Sequence, residues 1–434
     1  MHIITQIFSK GFFTKWRLAL IVVFVIGGAA RLYSVQLNIR QHGDVALYTA
    51  TAESLVSRHD FLIDPDTTQP YFYSLKDKGG RFLEHNPLWP LMGAVLVYLG
   101  IGSYTALKIL SVVSGILFLP LIYAYAKRLG GEQVAAFVFV LSSLSFALID
   151  YSGNGSFYNF EAGLYVVFLW LLLHLEEGRT PIWLGVVMGL GWLLNQQTLT
   201  MFFTYVVYVF FIHTRFSPKQ SFSLIAPSFL TMFALFFPWG MHNAAMFGSF
   251  FYTIDTTNFW QKLGMKEIID ANNIIHYPIT TQSYIQLFKS MITFWFPHNL
   301  YFINRKLFVL APFSYIFAWF FAVEVFFKES LEKAKKFLPI LLLLFFHICI
   351  SAPWPIAKFR YLIPMLPFVF LLGGLFISEY VRPLWRRWSY GACIAFTIAF
   401  SVLTYLGVPS HTYYYEGVPT EDIYGKQGEK DFYN

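Results

Sequence analysis

The sequence predicts an all-α polytopic membrane protein, and three observations carry that expectation. Hydrophobic residues make up 56% of the 434-residue chain and charged residues only 13%, where soluble domains carry roughly 25% charged. The mean hydropathy is +0.53. Apolar runs long enough to cross a hydrocarbon core of roughly 30 Å recur along the chain. The net charge of +7 then reads as the Lys and Arg excess that membrane proteins keep on the cytoplasmic side, with no nucleic-acid partner implied.

Residues 1–17 are basic and amphipathic and lead into a first span at 17–35. Arg31 and Tyr33 directly follow its apolar run, so no small-residue cleavage site appears, and the segment reads as an uncleaved signal-anchor. A polar loop follows at 36–90. Within it, 44–58 favours a helix, with Leu47, Leu55 and Val56 on its apolar side. Asp44 stands at the start of that helix and Tyr48 one turn on along the same face. By spacing alone the ordinary N-cap reading of Asp44 stands ahead of that of a reactive acid. The loop closes on Glu84-His85-Asn86-Pro87-Leu88-Trp89-Pro90. The apolar stretch 88–99 is too short to span, and it is expected as a helix lying in or re-entering the outer interface.

Ten further spans are expected at 105–126, 133–150, 160–175, 181–197, 200–213, 221–238, 307–327, 337–353, 361–379 and 389–407, about eleven in all. Orientation tests that count. With the N-terminus inside, the six inner segments hold nearly half of the 31 Lys and Arg, at about three times the density of the outer ones. Counting 88–99 as a span would invert everything after it and put the Lys328 to Lys336 cluster outside. The topology is therefore N-in and C-out, as a single domain. Its outer surface receives the loop 36–90, a second loop 241–306 and a short tail 409–434.

Candidate polar residues lie along the outer ends of these spans. Glu161 begins a span, where an ionisable residue is a functional hypothesis by default, and Asp150 competes with it. Asn195-Gln196-Gln197 is explained by capping and hydration. Arg360 and Lys358 precede the span 361–379, and a snorkelling role suits both. Lys108 and Glu324 read as structural. Cys349 and Cys393 sit in apolar runs without a CxxC or a His partner, as packed thiols. No HxH or HxxxH occurs, and no metal site is expected.

Three stretches resemble the GT-C glycosyltransferases, polytopic enzymes that take a sugar from a polyprenyl-phosphate carrier and include the protein O-mannosyltransferases and aminoarabinose transferases. Asp44 through Leu55, with Asn86-Pro87-Leu88-Trp89-Pro90-Leu91, resembles their first outer loop. Pro238-Trp239-Gly240-Met241-His242-Asn243 with Phe247-Gly248 resembles their Pro-Trp-x-x-Arg-Asn…Phe-Gly element. Arg360-Tyr361-Leu362-Ile363-Pro364-Met365-Leu366-Pro367 resembles their Arg-Tyr-Leu-x-Pro-x-x-Pro span start. All three fall on the outer face of a topology derived without them.

The resemblance implies an inverting transferase at the outer face of the cytoplasmic membrane. Its donor is a polyprenyl-phosphate or -diphosphate sugar, and its acceptor a lipid, glycan or protein. Asp44 would be the general base, and Arg360 could grip the departing phosphate bidentately. Tyr48, Glu84, His85, Glu161, Asn243, Lys358 and Tyr361 are the further substrate-binding candidates. His242 replaces the family's usual Arg, and Val45 its second acid, which in some relatives touches a metal. No cofactor is expected, although a divalent metal stays open. The alternative is a lipid or polyprenyl-sugar flippase, against which stands the lack of two similar halves. An O-antigen ligase or polymerase would lean on outer-loop arginines, and the second loop has only Arg305, at its end.

Overall fold

The computed structural model describes residues 15–37, 43–63, 81–82, 86–175, 179–251, 268–269, 275–276, 281–290, 292–293, 296–330, 334–352 and 359–405. Among them helices dominate. The strands are two antiparallel pairs of two residues each, Leu62–Ile63 with Arg81–Phe82 and Ile268–Ile269 with Ile275–His276. Among the described residues four helices are long and apolar enough to cross a membrane, or five if one bent pair is a single span, so the chain is a multi-pass membrane protein.

The first helix, α1 (Lys15–Leu37), divides its faces by the helical period. Leu18, Val22, Val25 and Leu32 are exposed, the pattern of a lipid-facing stripe, while Gly27, Arg31 and Ser34 are buried. Arg31 donates from Nη1 to the carbonyls of Gly27 and Ser143, both at 3.0 Å, and from Nη2 to that of Ser142 at 2.8 Å. Carbonyl partners are how a guanidinium is kept inside a span.

In α2 (Gly43–Ser57) the buried side differs from the predicted one. Leu47, Leu55 and Val56 are only partly covered, whereas Val45, Ala46, Tyr48, Thr49, Ala50, Thr51 and Ala52 are buried. The helix packs through small side chains. Its threonines hide their hydroxyls on their own backbone, Thr49 on the Val45 carbonyl at 2.7 Å and Thr51 on that of Leu47 at 2.8 Å. The short helix expected over 88–99 is α3 (Leu88–Tyr98), which buries Trp89 and leaves Val95 and Tyr98 exposed.

Two expected spans at 105–126 and 133–150 are one helix with a break, α4 (Ser103–Leu144). Gly131 turns the chain there at φ 79°, a left-handed conformation that costs glycine little. Near its start the buried Lys108 donates to the Val35 carbonyl at 3.0 Å, a favourable place for a cation at the end of α1. The second half ends at Leu144, short of the expected 150, and Ser145 in extended backbone starts α5 (Phe146–Gly153). After α5 the chain bends by 115° into α6 (Tyr158–Leu172).

A break of this kind frees backbone groups that a membrane interior cannot hydrate. Side chains satisfy them. Trp89 Nε1 donates to the Gly155 carbonyl at 2.9 Å. The Ser111 hydroxyl lies 2.9 Å from the Tyr151 carbonyl and 2.8 Å from that of Ser156. Ser34 donates to Ile149 at 3.1 Å, and Asn159 Nδ2 to Leu148 at 3.1 Å. The polar run Asn154-Gly155-Ser156 is thus a buried corner that sets the start of α6.

The remaining helices are α7 (Thr180–Leu194), α8 (Leu199–Val207, continued as a π turn to His213), α9 (Pro218–Phe247), α10 (Thr281–Ser290), α11 (Phe296–Leu310), α12 (Pro312–Phe327), α13 (Leu338–Ser351), α14 (Leu366–Tyr380) and α15 (Pro383–Tyr405). Helix α9 runs past the expected end at 238, into the expected second outer loop. The expected span 307–327 breaks at Ala311, after which Pro312 opens a new helix. At the centre lies α14, buried along nearly its whole length.

Candidate active site

Four described elements carry the candidate residues: α2 with Asp44 and Tyr48, the start of α6 with Glu161, the C-terminal part of α9 with Asn243, and a 3₁₀ segment (Phe359–Met365) with Arg360 and Tyr361. Glu84, His85 and Lys358 lie outside the described residues, as does the side chain of Asp44.

Asp44 is the second residue of α2, inside its first turn, where the helix dipole favours a carboxylate. Beside it Val45 is buried, its Cγ1 3.1 Å from where a Cβ on Gly155 would stand. The position at which the resemblance would place a second acid is therefore a packing contact and offers no ligand atom. Among the described residues no group of three or more His, Cys, Asp and Glu is placed to hold a metal ion. Tyr48 is buried, and its ring meets Phe157 edge-on at 6.0 Å. Phe157 also meets Trp89 at 6.3 Å, and its carbonyl accepts from the Glu161 amide at 2.9 Å. The helix that carries Asp44 thus packs directly on the turn that carries Glu161.

Glu161 is fully buried, and both of its oxygens are engaged. Oε1 accepts from the Tyr165 hydroxyl at 2.7 Å, and Oε2 from Asn195 Nδ2 at 3.2 Å. Asn195 also caps the 3₁₀ turn Gln196–Thr198, its Oδ1 accepting from the Gln197 amide at 3.3 Å. Capping therefore explains only half of Asn195, because the same side chain holds Glu161. The Tyr165 hydroxyl lies 3.0 Å from His347 Nδ1, and His347 Nε2 is 2.7 Å from the Tyr361 carbonyl. A carbonyl only accepts, so Nε2 carries the proton. A continuous line, Asn195–Glu161–Tyr165–His347–Tyr361, buried at its three middle residues and half-buried at its ends, joins α6 and α13 to the segment that holds Arg360. Arg360 is half-buried, with Cζ 5.6 Å from the Tyr361 ring centre.

Sequence reasoning missed Tyr165 and His347. The signals were present: Tyr165 stands one helical turn after Glu161, and His347 is an ionisable residue in an otherwise apolar run.

The Pro238 to Gly248 stretch is built differently. Phe61, just beyond α2, meets the rings of Trp239 at 5.0 Å and His242 at 5.3 Å, and Trp239 stacks on His242 at 4.7 Å. Trp192 stacks on Phe236 at 3.8 Å. Gly248, at φ 70°, turns the chain so that Phe250 folds back over Gly240, where a Cβ would stand 2.2 Å from its ring. Asn243 is buried one residue beyond His242. The structure brings Tyr48, Glu161 and Tyr361 into one connected network, and ties Asn243's neighbours to α2 through Phe61.

No protein-family model matches the chain, and no curated protein matches its sequence. Solved structures match its fold. The oligosaccharyltransferase of Archaeoglobus fulgidus, in its apo form, superposes with a TM-score of 0.55 at 15% identity, over 96% of this chain and 60% of that one. The same enzyme, AglB, in complex with an inhibitory peptide and a dolichol-phosphate gives 0.55 at 14%, over 96% and 59%. ArnT from Cupriavidus metallidurans bound to undecaprenyl phosphate gives 0.52 at 13%, over 89% and 71%. The chain spans about 60% of the length of the archaeal enzyme. The chain shares the fold of these transferases, as the resemblance of its three sequence motifs leads one to expect.

Proposed function

We propose that the protein is a glycosyltransferase that moves a sugar from a polyprenyl-phosphate carrier to a lipid, glycan or protein acceptor. The reaction is a single inverting displacement at the outer face of the cytoplasmic membrane, in an N-in, C-out topology. The observation that carries this reading is the convergence of the motifs. Tyr48, Glu161 and Tyr361 are far apart in sequence, yet one buried network of rings and hydrogen bonds connects their elements. The fold shared with an enzyme bound to dolichol-phosphate and another bound to undecaprenyl phosphate supports the carrier lipid.

In this reading Asp44 takes the proton of the acceptor hydroxyl or amine as it attacks the anomeric carbon. The bond to the carrier phosphate breaks as the new one forms. Arg360 meets the charge that builds on the departing phosphate with its planar pair of donors. Tyr48 supports the acceptor side, Asn243, Tyr361 and Lys358 the donor side, and Glu84 and His85 close the site from the first outer loop. Glu161 acts from behind the network, since both of its oxygens are held by protein groups.

The test is Asp44→Asn in membranes supplied with radiolabelled undecaprenyl-phosphate hexoses and pentoses. Transfer should fall about 100-fold or more, in the range of a general base. Wild-type transfer by the variant would remove Asp44 from the role. Movement of the carrier across the bilayer without any transfer by wild type would make the protein a flippase instead.

A further inference from the structure

The 3₁₀ segment that begins the α14 span has a defect built into its sequence. A carbonyl in such a turn is satisfied by the amide three residues on. For Tyr361 that residue is Pro364, which has no N–H to give. In the structure His347 Nε2 stands 2.7 Å from the Tyr361 carbonyl and makes good the missing donor. The histidine reaches across from α13, a firmly held element: Asn299 of α11 donates to the Ala352 carbonyl at the end of α13 at 2.8 Å. The imidazole orientation is fixed from its other side by the Tyr165 hydroxyl, which is itself fixed by Glu161.

The end links have a direction. His347 must present Nε2–H to the carbonyl, which leaves Nδ1 an acceptor, and Asn195 donates to Glu161 Oε2. Between them the single Tyr165 O–H serves either Glu161 Oε1 or His347 Nδ1, never both at once. The last link lies one peptide from Arg360. We propose that His347 is a positioning residue for Arg360: its Nε2–H locks the 359–365 segment so that the guanidinium is held where the carrier phosphate binds. The proposal rests on the glycosyltransferase reading of the site. It gives a role to two residues, His347 and Tyr165, that the reaction itself leaves idle, and it explains why a histidine stands in an otherwise apolar helix.

The test measures equilibrium binding of radiolabelled undecaprenyl phosphate to the purified full chain in detergent, with undecaprenol, which lacks the phosphate, as the comparison lipid. Two amide variants separate the two ring nitrogens. The amide of His347→Gln reaches the place of Nε2, and that of His347→Asn stops near the place of Nδ1, while both keep a neutral polar side chain. Arg360→Ala should weaken phosphate-lipid binding about tenfold or more, as loss of a charge-assisted pair does. His347→Asn should weaken it about fivefold with undecaprenol binding unchanged, and His347→Gln should stay within about twofold of wild type. Because the histidine acts through the arginine, His347→Asn combined with Arg360→Ala should bind no more weakly than Arg360→Ala alone.

Wild-type affinity in His347→Asn overturns the positioning role while leaving the function reading standing. So does a double variant that shows the full product of both losses. Wild type that binds undecaprenyl phosphate no better than undecaprenol overturns both.

Discussion

Around Trp239 the chain packs ring against ring, while around Tyr361 it joins hydrogen bond to hydrogen bond. The two stretches match the same family pattern in sequence, and both are tied back to α2, the first through Phe61 and the second through the turn at Phe157. Their physical content is opposite. In the Pro238 to Gly248 stretch, the Trp239, His242 and Phe61 rings and the Phe250 ring over Gly240 account for the spacing of the motif. In the Arg360 to Pro367 stretch, Pro364 opens a gap that a histidine from α13 closes, and a buried carboxylate stands at the far end of the line. Motif resemblance alone does not separate a packing device from a chemical one. Asking which backbone and side-chain polar groups each stretch must satisfy does separate them.

The largest expected effect breaks the polar region at Glu161. Glu161→Ala takes one acceptor from the Tyr165 hydroxyl and one from the Asn195 amide, leaving them His347 Nδ1 and Gln197 Oε1, and opens a space where the carboxylate stood. The lost hydrogen bonds and the space left by the side chain together cost about 1–3 kcal/mol, so the melting temperature should drop clearly. Transfer should fall about fivefold, the size set for His347→Asn, since Tyr165 without Glu161 no longer holds His347 in one orientation. Glu161→Gln keeps the shape and one acceptor, and should melt close to wild type with about a twofold loss of transfer. A Glu161→Ala protein with wild-type transfer would reduce the network to scaffolding and erase the contrast.

A middle-sized effect sharpens the other side. A methyl group at Gly240 would enter the Phe250 ring, and overpacking of that kind costs about 1–3 kcal/mol. Gly240→Ala should therefore lower the melting temperature, while transfer per folded molecule stays within about twofold of wild type. Adding Phe250→Ala makes room for the methyl and should recover part of the loss. A Gly240→Ala protein of full stability but poor transfer would mean that the aromatic region touches substrate.

Much of this is legible in the sequence for a physical reason. Spans follow from apolar length, which is local information, and so the short helix at 88–99 and the helices near 17–35, 160–175 and 361–379 stand close to their expected places. The breaks are harder to read. The break at Ser145 and the 115° corner after Gly153 exist because partners far away in the chain, Arg31, Ser34, Ser111 and Trp89, supply the donors that make them tolerable. A window of about twenty residues, the length of one span, contains no trace of such partners. The same holds for the site. Glu161 is visible as an acid at a span start, and Arg360 as a cation before one. The link between them runs through His347, far from Glu161 in the chain, which looks idle until the Tyr361 carbonyl is placed beside it. The buried side of α2 eludes the sequence for the opposite reason, because side-chain size suggests Leu47 and Leu55 where close packing of small residues selects the alanines and threonines.

The smallest effect tests the comparison most finely, at Asn195. This residue serves both regions' kinds of chemistry at once, since its Oδ1 caps the Gln196–Thr198 turn and its Nδ2 holds Glu161 Oε2. Asn195→Ala removes both contacts and should cost about 1 kcal/mol of stability, the usual size of a lost cap, with about a threefold loss of transfer. Asn195→Ser separates the two. Serine caps a turn nearly as well as asparagine, but its short hydroxyl cannot also reach the carboxylate. Stability should return in Asn195→Ser while transfer stays at the Asn195→Ala level, because the contact with Glu161 is the one that belongs to the chemical line. Recovery of both together would show that Asn195 serves only its turn, and the polar line would then begin at Glu161 itself.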